Sequence, residues 1–221
     1  MTGEPFKVAL IGCGTVGSGV AKLLVEEAAT YRHRLGRPIE LAVVLRRRQG
    51  VDEAAAQVPE GRLVHDAEAF FERAADCDVV IELAGGTGFA LDMVRRALHA
   101  GTHVVKANKE QLAAHGREQL ELALTHGVSI AFEASCGGGI PIITAMQFNL
   151  ISNRITAMHG ILNGTSNYIL TQMTEHGETY EQALGEAQRL GYAEADPTLD
   201  VGGGDAAHKL AILASLAFGA D

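Results

Sequence analysis

The sequence predicts an α/β chain that opens on a doubly wound parallel sheet. Three observations carry this. An apolar run at residues 7–11 stops at Gly12; glycines follow at 12, 14 and 17 in GCGTVG and lead into a helical pattern; and apolar runs then alternate with helical patterns as far as residue 132. The later runs lie at 39–45, 78–83, 102–105 and 128–132, and the helical patterns at 66–75, 88–100 and 109–126.

Strand, glycine turn and helix come in the order of a Rossmann-type dinucleotide fold. Gly12 permits the tight turn, Gly14 lets a pyrophosphate approach the backbone, and Gly17 lets helix and strand pack closely. Thr15 and Val16 open the helix, whose N-terminus offers N–H groups and a positive dipole end to phosphates. Val20, Leu23, Leu24 and Ala28 fall on one helical side and are expected to pack. The polar stretch YRHRLGRP at 31–38 is expected to extend the helix end and loop before the second strand. That strand ends in Arg46, Arg47 and Arg48 rather than in the carboxylate that would bind a ribose hydroxyl, so Arg46 and Arg47 favour NADP over NAD. Ligands of such sheets bind beyond the C-terminal strand ends. The loops holding Gly85, Gly86 and Thr87, then Ala107, Asn108 and Lys109, then Ser135, Cys136 and Gly137, are therefore expected around one crevice, with Gly86, Thr87 and Lys109 at the cofactor.

Composition excludes several classes. With 221 residues, 47% apolar and 20% charged, the chain is an ordinary globular one. A net charge of −9 argues against nucleic acid as a partner. Three cysteines without CxxC spacing fit a reducing compartment and exclude a zinc ribbon. No segment approaches the ~18 apolar residues of a membrane span, and MTGEPFK lacks a signal-peptide pattern, so a cytoplasmic location is expected.

After Pro141 the rhythm changes, which divides the chain into 1–140 and 141–221. An apolar helix is predicted over 142–150, a β-like run over 154–162, a helix capped by the NGTSN stretch and running through residue 173, and a further helix near 180–190. One strand cannot make a stable sheet, so this second part reads as an incomplete α+β substrate and dimerisation domain. The chain ends on KLAILASLAFGAD, a helix apolar on most sides that expects cover. Between these helices Glu194, Asp196, Asp200 and Asp205 crowd around three glycines, with Lys209 one helical turn beyond Asp205. Asp205 and Lys209 would share a helix face, an arrangement that could hold an ammonium-bearing substrate beside a lysine acid/base or be only a solvated ion pair. Asp196, before Pro197, reads as a turn residue.

The motifs GCGTVGSG at 12–19, VVKANKEQLA at 104–113, FEASCGGGIP at 132–141, GILNGTSNYIL at 160–170 and GYAEADPTLDVGGGDAAHKLAIL at 191–213 together resemble homoserine dehydrogenase. The resemblance implies reversible NAD(P)-dependent interconversion of L-homoserine and L-aspartate 4-semialdehyde, on the route to threonine, methionine and isoleucine. It implies Lys209 as acid/base, Lys109 as a second site lysine, Glu194 and Asp205 as substrate-binding residues with Asp200 as helper, and Gly191 at the cofactor. It also implies a monovalent cation such as sodium held by oxygen atoms at Glu133, Cys136, Gly138 and Ile140, mostly backbone carbonyls, and a homodimer. Homoserine dehydrogenases continue beyond the segment matched here, so the expectation is of a truncated chain. Two alternatives remain at this stage: a non-catalytic NADP-binding module, and a thiol-dependent semialdehyde dehydrogenase using Cys136 as nucleophile.

Overall fold

The computed structural model describes residues 3–47 and 53–219, so Arg48 and the last two residues lie outside the described part. The chain forms two compact units, Met1–Ser135 and Cys136–Asp221.

The first unit runs β1 (Phe6–Ile11), α1 (Thr15–Glu26), α2 (Ala28–Leu35), β2 (Ile39–Leu45), α3 (Glu53–Ala56), β3 (Leu63–Val64), α4 (Ala67–Ala74), β4 (Val79–Glu82), α5 (Phe89–His99), β5 (His103–Lys106), α6 (Lys109–Thr125) and β6 (Ile130–Ala131), then a short 3-10 turn at Glu133–Ser135. The six strands lie in the order β3-β2-β1-β4-β5-β6, every pair parallel. This is the doubly wound arrangement expected, with the order reversing between β1 and β4.

The strands are apolar throughout because both sheet faces are covered. Val8 and Leu10 point to one side with Leu41, Val44 and Val79, where Val20, Ala21 and Leu24 of α1 meet them. Ala9 and Ile11 point to the other with Val43, Leu45 and Val80, under Phe70 of α4 and Met93, Val94 and Leu98 of α5. Full burial of a side chain such as Phe70 stabilises by roughly 1.5–3 kcal/mol. Leu23, expected on the packed side of α1, is 51% exposed. Gly17 and Ala21 define the buried stripe, and Leu23 sits 200° round the helix from Ala21 at about 100° per residue. Ala28 belongs to α2, because the first helix ends at Glu26. Local chemistry starts the later helices. The Asp66 carboxylate accepts from the N–H groups of Glu68 and Ala69, and the Asn108 side-chain oxygen accepts from the N–H of Gln111.

The second unit contains α7 (Ile142–Thr144), which widens into a π-turn at Ala145–Asn149, then α8 (Gly164–Glu175), α9 (Tyr180–Arg189), α10 (Thr198–Val201) and α11 (Gly204–Phe218). Ile169 of α8 packs with Ala183 and Ala187 of α9 and with Ala193, whose small side chains let the helices approach. Thr179 and Gln182 form a reciprocal capping box that fixes the start of α9. The expected β-like run over 154–162 forms no strand. No other segment of this unit is a strand among the described residues, and an apolar run without a pairing partner has nowhere to place its ladder hydrogen bonds. Helix α11 forms as predicted, but Leu210 and Phe218 are about half exposed, at 51% and 50%.

Candidate active site

The glycine turn of the first unit separates what the fold needs from what a ligand would need. Gly12 has φ +94°, and a Cβ there would lie 2.8 Å from the Ala84 nitrogen. A Cβ on Gly17 would lie 2.0 Å from the Gly12 carbonyl oxygen. Both glycines are therefore required by strand, turn and helix packing alone. A Cβ on Gly14 would meet nothing within 4 Å. Gly14 is also the N-cap of α1, and neither a side-chain cap nor an acidic residue occupies the first turn. The start of α1, at Thr15 and Val16, is left as an uncapped, positive helix end beside open space, which suits a phosphate.

The two arginines that end β2 part company. Arg46 is buried, with its N–H donating to the Val64 carbonyl at 2.9 Å. Arg47 is exposed, and its guanidinium lies 4.4 Å from the centre of the Phe89 ring. Gly86, at φ +87°, and Thr87 follow β4 at its C-terminal end. The Asn108 amide donates to the carbonyls of Ala84 at 3.3 Å and Gly86 at 2.8 Å, tying that loop to the start of α6, where Lys109 is half-buried.

Beneath this loop, Glu82 and Lys106 are neighbours across β4 and β5 and are fully buried. Lys106 donates to the side-chain oxygens of Gln111 and Gln119, the latter at 2.6 Å, while neither Glu82 carboxylate oxygen has a hydrogen-bond partner among the described residues. Burial pushes the Glu82 carboxyl up to about 7 against the attraction of Lys106 and the nearby Ala84 N–H. Burial likewise pushes Lys106 down to about 8 against the attraction of Glu82. Glu82, raised from 4.5, contributes stability that is full below pH 4.5 and lost as pH rises through about 7. Lys106, lowered from 10.5, contributes stability that is full above pH 10.5 and lost as pH falls through about 8. The pair is thus least favourable between about pH 7 and 8. The Tm of a Glu82→Gln/Lys106→Met variant, taken relative to the native chain, should be highest in that window and fall toward pH 5 and pH 10; thermal unfolding across pH checks this. Glu82 lies within the apolar run at 78–83 and Lys106 directly follows the one at 102–105, and that embedding in apolar sequence is the available signal for them.

In the second unit the acidic segment resolves into a hydrogen-bonded cluster. The Lys209 ammonium donates to Asp205 at 2.7 Å and to the Leu162 carbonyl at 2.8 Å. The Asn163 amide donates to Asp205 and to Asp200, each at 2.8 Å. Thr165 donates to the Tyr192 carbonyl at 2.7 Å, with Asp200 at 3.3 Å from the same hydroxyl, and Ser166 donates to the Asp200 carbonyl at 3.0 Å. Asn163 also caps α8 by accepting from the Ser166 N–H. The sequence marks Asn163 only as a cap; its bridging of two carboxylates from other elements depends on tertiary folding. Asp205 is buried, and Lys209 keeps 20% of its side chain exposed.

Asp205, Asp200 and Lys209 are therefore brought together, and Glu194 is not. Glu194 is exposed, and no hydrogen bond or ion pair joins its carboxylate to that cluster among the described residues; its main-chain carbonyl accepts from Gln188 at 3.1 Å. Gly191 takes φ +77° at the end of α9. Asp196 accepts from the N–H and hydroxyl of Thr198, the turn role expected.

Cys136 is 1% exposed and its thiol lies 3.8 Å from the Lys209 carbonyl oxygen, geometry for a buried donor rather than an attacking thiolate. A Cys136→Ala variant should keep its NADPH affinity within about twofold, as calorimetric titration would show. Among the described residues no group of three His, Cys, Asp or Glu side chains could hold a metal. Gly138 and Ile140 sit instead in an exposed turn with Gly137 at φ +60° and Gly139 at φ +82°. Glu133 belongs to the 3-10 turn of the first unit.

Two family descriptions match this chain: "Homoserine dehydrogenase, NAD binding domain" over residues 12–133 and "Homoserine dehydrogenase" over residues 141–221. The chain belongs to the homoserine dehydrogenase family. Curated homoserine dehydrogenases from Neisseria gonorrhoeae and Pseudomonas aeruginosa are 46% and 47% identical to it, each over 98% of this chain and 49% of their own length. The crystal structure of the homoserine dehydrogenase from Thiobacillus denitrificans superposes with a TM-score of 0.89 at 43% identity, over 99% of this chain and 50% of that one. A hyperthermophilic archaeal homoserine dehydrogenase in complex with NADPH gives a TM-score of 0.83 at 25% identity, over 98% of this chain and 71% of that one. The chain spans about half the length of the curated homoserine dehydrogenases it matches.

Proposed function

We propose that this chain supplies the cofactor unit and the acid/base machinery of an NADP-dependent homoserine dehydrogenase, interconverting L-homoserine and L-aspartate 4-semialdehyde. The observation that carries the proposal is the Lys209–Asp205–Asn163–Asp200 cluster in a chain whose glycine turn is built to leave space at Gly14. Gly12, Gly14, Thr15, Val16, Gly17, Gly86, Thr87 and Lys109 would hold the dinucleotide, and Arg47, with its guanidinium face stacked on Phe89, would meet a 2′-phosphate. Arg46, being buried, would act by supporting that strand end. A dinucleotide held there would supply the hydride acceptor for the carbinol carbon of homoserine and, in its reduced form, the hydride donor for the aldehyde.

The chain's own residues handle the proton. In aldehyde reduction the Lys209 ammonium would donate to the carbonyl oxygen; in alcohol oxidation its amine form would take the hydroxyl proton. Two of the three ammonium donors are engaged by Asp205 and Leu162, and the third would serve the ligand. Asn163 fixes Asp205 and Asp200, so Asp205 would keep Lys209 oriented and balance charge near the substrate ammonium, with Asp200 bracing the arrangement. Glu194, exposed and unengaged by the cluster, would reach the substrate ammonium, and Gly191 would lie against the cofactor. A monovalent cation such as sodium would bind through Glu133, Cys136, Gly138 and Ile140. The second copy of a homodimer would cover apolar surface such as Leu210 and Phe218. No described helix is long and apolar enough to cross a membrane.

The test is absorbance at the NADPH band with NADP and homoserine, followed by the reverse direction with aspartate semialdehyde. Homoserine-dependent NADPH formation supports the proposal. Cofactor binding without turnover in either direction supports a binding module instead.

A further inference from the structure

The amide of Gln111 sits between a buried lysine and the loop that follows β4. Its oxygen accepts from the Lys106 ammonium, and its nitrogen lies 3.5 Å from the Gly86 carbonyl. An ammonium can only donate, so protonated Lys106 dictates which end of the Gln111 amide faces it and leaves the N–H end for Gly86. Asn108 donates to the same Gly86 carbonyl and to that of Ala84, and its oxygen accepts from the Gln111 backbone N–H. The two loop carbonyls are thus held by the first turn of α6, and Lys106 sets the direction of one of the holding groups. Gln119, from two turns further along α6, accepts the second Lys106 hydrogen bond, and Glu82 supplies the opposing charge from β4.

We propose that Lys106, acting through Gln111, is a positioning residue that sets the Ala84–Gly85–Gly86 loop for the dinucleotide. This rests on the cofactor reading given above. A buried lysine with two amide acceptors and an unbonded carboxylate is an expensive way to fill a core, since an apolar replacement of both charges is commonly neutral or stabilising. Its presence is explained if the amide direction matters to the loop.

The alternative is that Lys106 merely fills space and balances Glu82. The Glu82→Gln/Lys106→Met variant separates the two, because it removes both buried charges at similar volume while leaving Gln111 without its donor. Calorimetric titration with NADPH at pH 7.5, together with thermal unfolding, is the experiment. The expected result is a variant that still unfolds in a cooperative transition yet binds NADPH about two- to tenfold more weakly, the effect of one misdirected hydrogen bond. A Gln111→Met variant, which keeps the Glu82–Lys106 pair, should show a similar loss. Native-like affinity in both variants, with native binding intact, would overturn the positioning role alone. Absence of NADPH binding by the native chain would overturn the cofactor reading and this inference with it.

Discussion

Replacing Lys209 by alanine is expected to lower homoserine-dependent NADPH formation by about 10²–10⁴-fold, the range for loss of a positioned acid/base group. NADPH affinity should be nearly unchanged, because the glycine turn and the β4 loop belong to the other unit of the chain. The Asp205 carboxylate would lose one donor but keep Asn163, so the second unit should still fold. Parallel rate and calorimetric measurements check both halves of this expectation. A fall of less than tenfold in rate would assign the proton to another group.

The second large effect contrasts two glycines three residues apart. Gly17→Ala would place a Cβ 2.0 Å from the Gly12 carbonyl oxygen, backbone against backbone, with no flexible side chain able to yield. A cost of about 3 kcal/mol or more is expected, at the upper end for overpacking and a large share of the stability of a typical domain. Gly14→Ala meets no protein atom within 4 Å, so its urea midpoint should stay close to that of the native chain. Its NADPH affinity should nevertheless fall by about tenfold or more, equivalent to roughly 1.4 kcal/mol, because the added methyl occupies the space left for the pyrophosphate. Urea unfolding and NADPH titration of both variants check the pair. If Gly14→Ala bound NADPH as tightly as the native chain, the dinucleotide would not lie against that turn.

Much of this was legible from the residues. The apolar runs of β1, β2, β4 and β5 and the periodicity of α4, α5 and α6 locate those elements to within two residues, because a sheet buried on both faces and helices with one packed face leave strong local patterns. Strand β3 leaves no sequence signal, since two residues, Leu63 and Val64, carry no period. Residues 154–162 look β-like in sequence yet form no strand, because composition records apolar preference and not the presence of a pairing partner. The Asp205–Lys209 contact followed from helical spacing, while the link from Asn163 to both Asp200 and Asp205 spans 37 and 42 residues and leaves no local signature. Arg46 and Arg47 look equivalent in sequence; strand alternation sends one inward and leaves the other over Phe89.

Hydride transfer between homoserine and NADP on this chain would be seen in the fate of an isotope label. Homoserine carrying deuterium at its hydroxymethyl carbon is incubated with NADP and the chain, and the recovered NADPH is analysed by mass spectrometry. One deuterium is expected in the reduced cofactor in native reactions and almost none with Lys209→Ala. Reduced cofactor formed without the label would contradict it, as would no reduced cofactor from a chain shown to bind both NADP and homoserine.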